Sequence, residues 1–328
     1  MELVCTDYHT AGEPFRIVTA GEPEIPGTTV RDRREQAAAD QSLDMVRKLL
    51  CHEPRGHADM YGCFLVPPDD GGADLGVLFW HKDGYSTACG HGTIALGAWA
   101  VESGRIAAPA DGDVDVRVDV PSGRVVARVT RKGGAVQSVA FRNVPAFVIA
   151  RNVRAAGALV DVAYGGAIYA CVLAARFGLR VVPEDLAQLI AAGREVKLAL
   201  EGSDVARHPT DERLSGIYGT ILYEEIADLH QRNVTIFADG EVDRSPCGSG
   251  TCARLAVLAD QGRVAPAGPT LRHESIVGSA FTGTVLAATT AAGRPAIVPQ
   301  VTGMAYRTGE HTFVVDPADP LVPGFVLR

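Results

Sequence analysis

Cys89 and Cys247 stand in the same five-residue pattern: Cys89-Gly90-His91-Gly92-Thr93 in the first half of the 328-residue chain, Cys247-Gly248-Ser249-Gly250-Thr251 in the second. Each is followed by a run that is apolar on nearly every side. The first run carries Ile94, Ala95, Leu96, Ala98, Trp99, Ala100 and Val101; the second carries Ala253, Leu255, Ala256, Val257, Leu258 and Ala259. A helix apolar all round is a buried helix, which puts each cysteine at a helix N-terminus. The unpaired N–H groups and the dipole at such an end stabilise a thiolate and lower its pKa, and the same groups bind a carboxylate. Two such ends opening on one cleft can hold an amino acid by its carboxylate with a sulfur on each face of Cα. One thiolate then removes the Cα proton and the opposite thiol supplies another.

The Cα proton is weakly acidic, and most enzymes that remove it recruit pyridoxal phosphate or a metal. This chain shows neither a phosphate cup with a committed lysine nor a carboxylate/histidine cluster, so no cofactor and no metal is expected. Hydrogen bonds and the two helix ends must then carry the developing charge. Cys89-Gly90-His91 does offer thiolate and imidazole to zinc, but structural zinc sites space local ligands differently and need four. The glycine-rich turns lack the lysine or distal acid of a phosphate or dinucleotide loop. Cys5, Cys51, Cys63, Cys171 and Cys252 read as small buried hydrophobes.

The elements that must position the two thiols repeat along the chain. Thr10-Ala11-Gly12 answers to Tyr164-Gly165-Gly166, each after a strand-like run with an aspartate (Asp7, Asp161). Met60-Tyr61-Gly62 answers to Ile217-Tyr218-Gly219, and Phe79 and Cys89 answer to Phe237 and Cys247 at one shared offset. Such a repeat implies two similar domains related by a pseudo-twofold axis: an N-terminal domain over 1–150 carrying Cys89, to which 305–328 can pack back, and a C-terminal domain over 151–304 carrying Cys247. Strands are expected over Leu75–Trp80, Val114–Val120, Arg124–Thr130 and Val234–Phe237. Helices are expected over Arg34–Leu50, Thr93–Ser103, Pro183–Gly193 and Thr251–Gly262, several of them closed by glycine. The mixture reads as α/β or α+β, most simply with strands wrapped round a central helix in each domain.

A chain with 47% hydrophobic and 21% charged residues is ordinary globular. Its net charge of −8 and lack of Lys/Arg blocks argue against nucleic acid or an anionic membrane as partner, leaving a small molecule. Seven irregularly spaced cysteines and a start without a signal-peptide pattern suggest a cytoplasmic protein with reduced thiols. No apolar stretch approaches the roughly 20 residues that span a bilayer.

Ala88-Cys89-Gly90-His91-Gly92-Thr93 and Asp243-Arg244-Ser245-Pro246-Cys247-Gly248-Ser249-Gly250-Thr251 resemble the two signature motifs of the proline racemase superfamily. That group includes proline racemase, 4-hydroxyproline 2-epimerase and trans-3-hydroxy-L-proline dehydratase. The likeness runs from His9-Thr10-Ala11-Gly12-Glu13-Pro14 to Gly278-Ser279-Ala280-Phe281-Thr282-Gly283. It implies a diaminopimelate-epimerase-like α+β fold, an inter-domain site, no cofactor and a homodimer. Carried over by position, Cys89 and Cys247 are the paired acid/base residues; Gly90, His91, Gly248 and Ser249 contact substrate beside them; Asp243 binds the ring nitrogen; and Phe237 lines the ring pocket. His57 is either a contact for a ring hydroxyl or a structural loop residue. The segments Glu53–Gly62 and Asp161–Ala167 look most like the 3-hydroxyproline dehydratases, which typically carry threonine where this chain has Cys247. Epimerisation needs a proton donor on the second face, and Cys247 supplies one, so epimerase or racemase is the leading expectation. Dehydration of trans-3-hydroxy-L-proline is the alternative, and a non-catalytic imino-acid-binding protein a third.

Overall fold

A computed structural model describes residues 2–327. The chain divides into two compact units, one formed by residues up to Val139 together with those from Met304, the other by Ala140–Gly303. Among the described residues five α-helices form: α1 (Val30–Ala39), α2 (Gln41–Cys51) and α3 (Gly90–Glu102) in the first unit, α4 (Leu186–Leu200) and α5 (Gly248–Asp260) in the second. Among the described residues no helix is long and apolar enough to cross a membrane.

The two units use one pairing order. In the first, Glu2–Thr10 pairs antiparallel with Glu13–Ala20, which pairs parallel with Tyr61–Val66, which pairs antiparallel with Leu75–His81. Leu75–His81 then pairs antiparallel with the short strand Gly84–Tyr85 and parallel with Gly112–Val120. In the second unit Ala158–Tyr164, Ile168–Leu173, Ile217–Ala227, His230–Phe237, Glu241–Asp243 and Leu271–Ser275 repeat that sequence of antiparallel and parallel pairings. The outermost strand of each series differs in origin. Phe147–Ala155 precedes Ala158–Tyr164 directly and pairs with it, whereas Glu2–Thr10 takes as its partner Ala305–Val314 from the far end of the sequence.

Parallel neighbours cannot be joined by a hairpin and need a crossover, usually a helix. Each parallel pair here has one. The crossover from Glu13–Ala20 to Tyr61–Val66 holds α1 and α2, and its counterpart in the second unit holds α4; the next crossovers hold α3 and α5. The helix α3 is buried at every position from Gly90 to Val101 and packs on five strands, including Glu2–Thr10, Gly123–Lys132 and Ala305–Val314. In the same way α5 lies against Phe147–Ala155, Ala158–Tyr164, Ala280–Ala291 and Arg294–Gly303. This is the expected α+β arrangement of strands round a central helix. On the outside of the second unit, α4 covers Ile217–Ala227 and His230–Phe237 through Leu189, Ala192, Val196 and Leu200.

The helix starts lie three or four residues from the expected ones, at Val30, Gly90, Leu186 and Gly248, and two departures are larger. The run Arg34–Leu50 is two helices rather than one, because Asp40 leaves helical geometry and turns its carboxylate onto the Ser42 and Leu43 N–H groups, capping α2. Gly193 does not close α4, which continues to Leu200. Its lack of a side chain serves packing instead: a Cβ there would lie 2.6 Å from Ile236 Cβ. Gly193→Ala is expected to lower stability by about 1–3 kcal/mol through overpacking, read as a lower urea midpoint with an unchanged slope.

Candidate functional site

In the first unit the chain leaves Leu75–His81, turns through Gly84–Tyr85 and enters α3 at Cys89. Cys89 is the N-cap, in ordinary extended conformation (φ −151°, ψ 107°), and its Sγ accepts the Gly92 N–H at 3.2 Å. Thr93 closes the turn from below, its hydroxyl donating to Cys89 O at 2.7 Å. A Cβ on Gly92 would sit 2.8 Å from the sulfur and 2.4 Å from the Phe15 ring, so glycine is needed where the backbone N–H must come close. The His91 imidazole lies over the thiol, with Nε2 3.5 Å from Sγ, and meets the rings of Phe15 and Tyr61 edge-on. Burial pushes its pKa down to about 3, so this imidazole is neutral and acts as a polar wall rather than a cation.

The second unit builds the counterpart differently. Cys247 caps α5 with its Sγ accepting the Gly250 N–H at 3.3 Å, but its backbone is at φ +62°, ψ 104°. A side chain disfavours that region, at a cost of order 1–3 kcal/mol, and it persists only where the surroundings over-determine it. They do so here. The Pro246 carbonyl accepts from Asn233 Nδ2 and from the Thr251 hydroxyl, each at 3.1 Å. Because that hydroxyl spends its hydrogen on Pro246, it accepts from His273 Nδ1 at 2.8 Å. The Cys247 N–H donates to Ser245 Oγ, and Ser245 donates through both N and Oγ to Asp243 Oδ1, at 2.8 and 2.7 Å. Asn233, Ser245, Thr251 and His273 are all fully buried.

Asp243 is 3% exposed, and removal from water pushes its pKa up to about 6 despite the opposing bonds from Ser245. The Cys247 thiol is also pushed up, first by burial and then by the Asp243 charge, while the Gly250 N–H pulls the other way. This corrects the expectation that a helix N-terminus alone lowers the thiol pKa: at Cys247 one N–H is outweighed by desolvation and a neighbouring carboxylate.

Gly248, Ser249 and Phe237 accompany Cys247, Asp243 sits one turn before it, and Gly90 and His91 accompany Cys89, each group within its own unit. Phe237 is buried and stacks on Tyr218 with ring centres 5.6 Å apart. His57 is placed on an exposed turn before Tyr61–Val66, where its Nδ1 accepts the Asp59 N–H, rather than in the buried cluster of Cys89 and His91. Sequence reasoning missed Tyr169, Asn233, Ser245 and His273. Of these only Ser245, inside the second motif, had a local signal.

Relatives with known names resemble the chain over its whole length. A trans-3-hydroxy-L-proline dehydratase of Bacillus cereus is 45% identical, aligned over 98% of this chain and 97% of its own length. A 3-hydroxyproline 2-epimerase of Burkholderia multivorans is 44% identical over 99% and 98%. The crystal structure of a hydroxyproline epimerase from Agrobacterium vitis, with bound trans-4-hydroxy-L-proline, superposes with a TM-score of 0.91 at 32% identity, covering 99% of this chain and 95% of that one. The family model for proline racemase matches residues 5–326. With two cysteine-capped helices in repeated units and this breadth of likeness, the chain belongs to the proline racemase family.

Proposed function

We propose that the protein inverts C2 of a 3-hydroxyproline, with Cys89 and Cys247 as the two proton-transfer groups and without a cofactor. The observation that carries this reading is that both thiols cap buried helices and both sulfurs take the N–H three residues on. One thiolate accepts the Cα proton and becomes a thiol; the other thiol gives its proton to the opposite face and becomes a thiolate. Atoms balance within the pair, and the protonation states exchange with each turnover. The positive ends of the two helices suit the substrate carboxylate and the charge that grows on it as Cα loses its proton. A secondary ammonium against Asp243 would offset that carboxylate's charge, which adds to burial in holding the Cys247 thiol high, so substrate binding itself lowers the thiol. The relatives named for 3-hydroxyproline support the choice of ring.

The second reading is dehydration of trans-3-hydroxy-L-proline, favoured by the name of the Bacillus cereus relative. Loss of the Cα proton and the 3-hydroxyl as water leaves an enamine that tautomerises to the pyrroline-2-carboxylate. Proton NMR of the reduced enzyme in deuterium oxide separates the two. With trans-3-hydroxy-L-proline the first reading expects loss of the Cα signal and growth of the C2 epimer, and pyrroline without epimer would replace it by the second. Parallel tubes with L-proline and trans-4-hydroxy-L-proline are expected to react more slowly, and a faster reaction there would overturn the choice of ring.

A further inference from the structure

Cys247 faces one polar group that the reading above leaves without a task. Tyr169, on Ile168–Leu173, is fully buried. Its hydroxyl lies 2.7 Å from Ser249 Oγ and 3.8 Å from Cys247 Sγ. Its ring is fixed by an edge-on contact with Tyr218, ring centres 5.7 Å apart, and Tyr218 in turn stacks on Phe237. A buried phenol needs its hydrogen bonds met, and this one has two partners for one hydrogen. Both partners belong to the capping turn of α5: Cys247 is the N-cap and Ser249 lies in the first turn.

We infer that Tyr169 is a further catalytic residue, whose hydroxyl serves Cys247 in both of its protonation states, accepting from the thiol and donating to the thiolate. In the thiol state Cys247 S–H points to the phenol oxygen and the phenol hydrogen goes to Ser249 Oγ. When the sulfur loses its proton, the phenol O–H turns to the sulfur and Ser249 donates back to the phenol oxygen. No covalent bond changes; two hydroxyl rotors reverse direction. Burial holds the phenol well above its usual range, so it stays a neutral donor throughout. Of the other groups around the sulfur, Asp243 is an acceptor whose charge opposes the thiolate, the Gly250 N–H only donates, and the Thr235 hydroxyl, the remaining side chain acting on the thiol, gives its hydrogen to Asn233 Oδ1 at 3.4 Å. The inference rests on Cys247 being a proton-transfer group, and it adds the element that lets one sulfur be stable both with and without its proton.

The test reads the thiol directly. In a Cys89→Ser background, the rate of Cys247 alkylation by iodoacetamide is followed by peptide mass spectrometry across neutral to alkaline pH, where it tracks the thiolate fraction. A hydrogen bond to a charged group is worth enough to move the ionisation midpoint by about one pH unit. Tyr169→Phe is therefore expected to slow alkylation about tenfold at a fixed pH below the midpoint. Site-specific 3-fluorotyrosine at 169, a more acidic phenol of nearly the same shape, is expected to speed it. An unchanged rate in both variants, or slowing in both, overturns the inference; a purely structural role gives no opposite-signed pair. Should Tyr169→Phe fail to fold, the fluorotyrosine variant decides alone. Alkylation reports acidity whether or not Cys247 moves a substrate proton, so this failure is distinct from retained inversion in Cys247→Ser, which would sink the functional reading.

Discussion

Cys247→Thr is expected to lose inversion at C2 by about 10²- to 10⁴-fold, the usual worth of one positioned acid or base, while Cys89→Ser loses inversion and dehydration alike. The asymmetry follows from the roles. Inversion needs a donor on the second face, and a threonine hydroxyl is far too weak an acid to replace a thiol there. With threonine at 247, Cys89 is the remaining thiol of the proposed pair, and removal of the Cα proton by it needs no such donor. Threonine is also the residue that the dehydratase branch of this family typically carries at this position, so Cys247→Thr is expected to show pyrroline formation from trans-3-hydroxy-L-proline as its main remaining reaction. Chiral chromatography of the proline and spectrophotometric detection of the pyrroline give both rates from one incubation. Retained inversion in Cys247→Thr would remove the two-thiol mechanism, and retained proton removal in Cys89→Ser would assign the first base elsewhere.

Asp243→Asn is expected to make the protein more stable and much less active. Burial raises the Asp243 pKa to about 6 in the folded chain, against about 3.9 for an unperturbed aspartate. The sign follows from linkage: the folded state holds its proton more tightly, so this group's contribution is fully present below about pH 3.9 and is lost as pH rises through about 6. At neutral pH the ionised, buried carboxylate therefore costs stability, up to about 3 kcal/mol for a shift of that size. Asparagine keeps the acceptor for Ser245 and removes the charge. Urea unfolding at neutral pH should show a higher midpoint in the variant, with the difference shrinking toward pH 4. On the proposed function activity should move the other way, because a substrate ammonium would lose its counter-ion in a dry site, where charge-assisted bonds are strongest; a fall in kcat/KM of about 10²-fold or more is expected. Higher activity, or lower stability at neutral pH, would contradict the placement of an ionised Asp243 beside the thiol. A site residue that costs stability is the usual price of function.

Much of this was legible in the sequence because it was local or repeated. Cys-Gly-x-Gly-Thr before an apolar run is a helix start, and both cysteines are N-caps. The shared offset of Phe79/Phe237 and Cys89/Cys247 reflects the repeated pairing order. What escaped was long-range. The same five-residue pattern gives a relaxed Cys89 and a strained Cys247, and at the second the Pro246 carbonyl is gripped by Thr251 and by Asn233, the latter from a separate strand that a local pattern does not encode. Tyr169 reaches Ser249 across the sheet from a strand whose composition is ordinary. The thiol's acidity was misread for a similar reason: a helix end is visible in sequence, whereas the depth of burial and the nearness of Asp243 are tertiary facts. The break at Asp40 was missed because Asp40-Gln41-Ser42 holds neither glycine nor proline and the residues on either side, Ala37–Ala39 and Leu43–Leu50, both suit a helix.

The pairing of Ala305–Val314 with Glu2–Thr10 also sets the order in which the chain can be completed. Residues 140–303 form the second unit from one uninterrupted stretch, so a ribosome delivers that unit whole while the first still lacks its outer strand. Contacts of such sequence separation are slow to form because a long loop must close before they stabilise anything. The half that carries Cys89 is thus translated first and finished last, and until the final strand arrives Glu2–Thr10 presents an open edge of the kind that invites pairing with other chains.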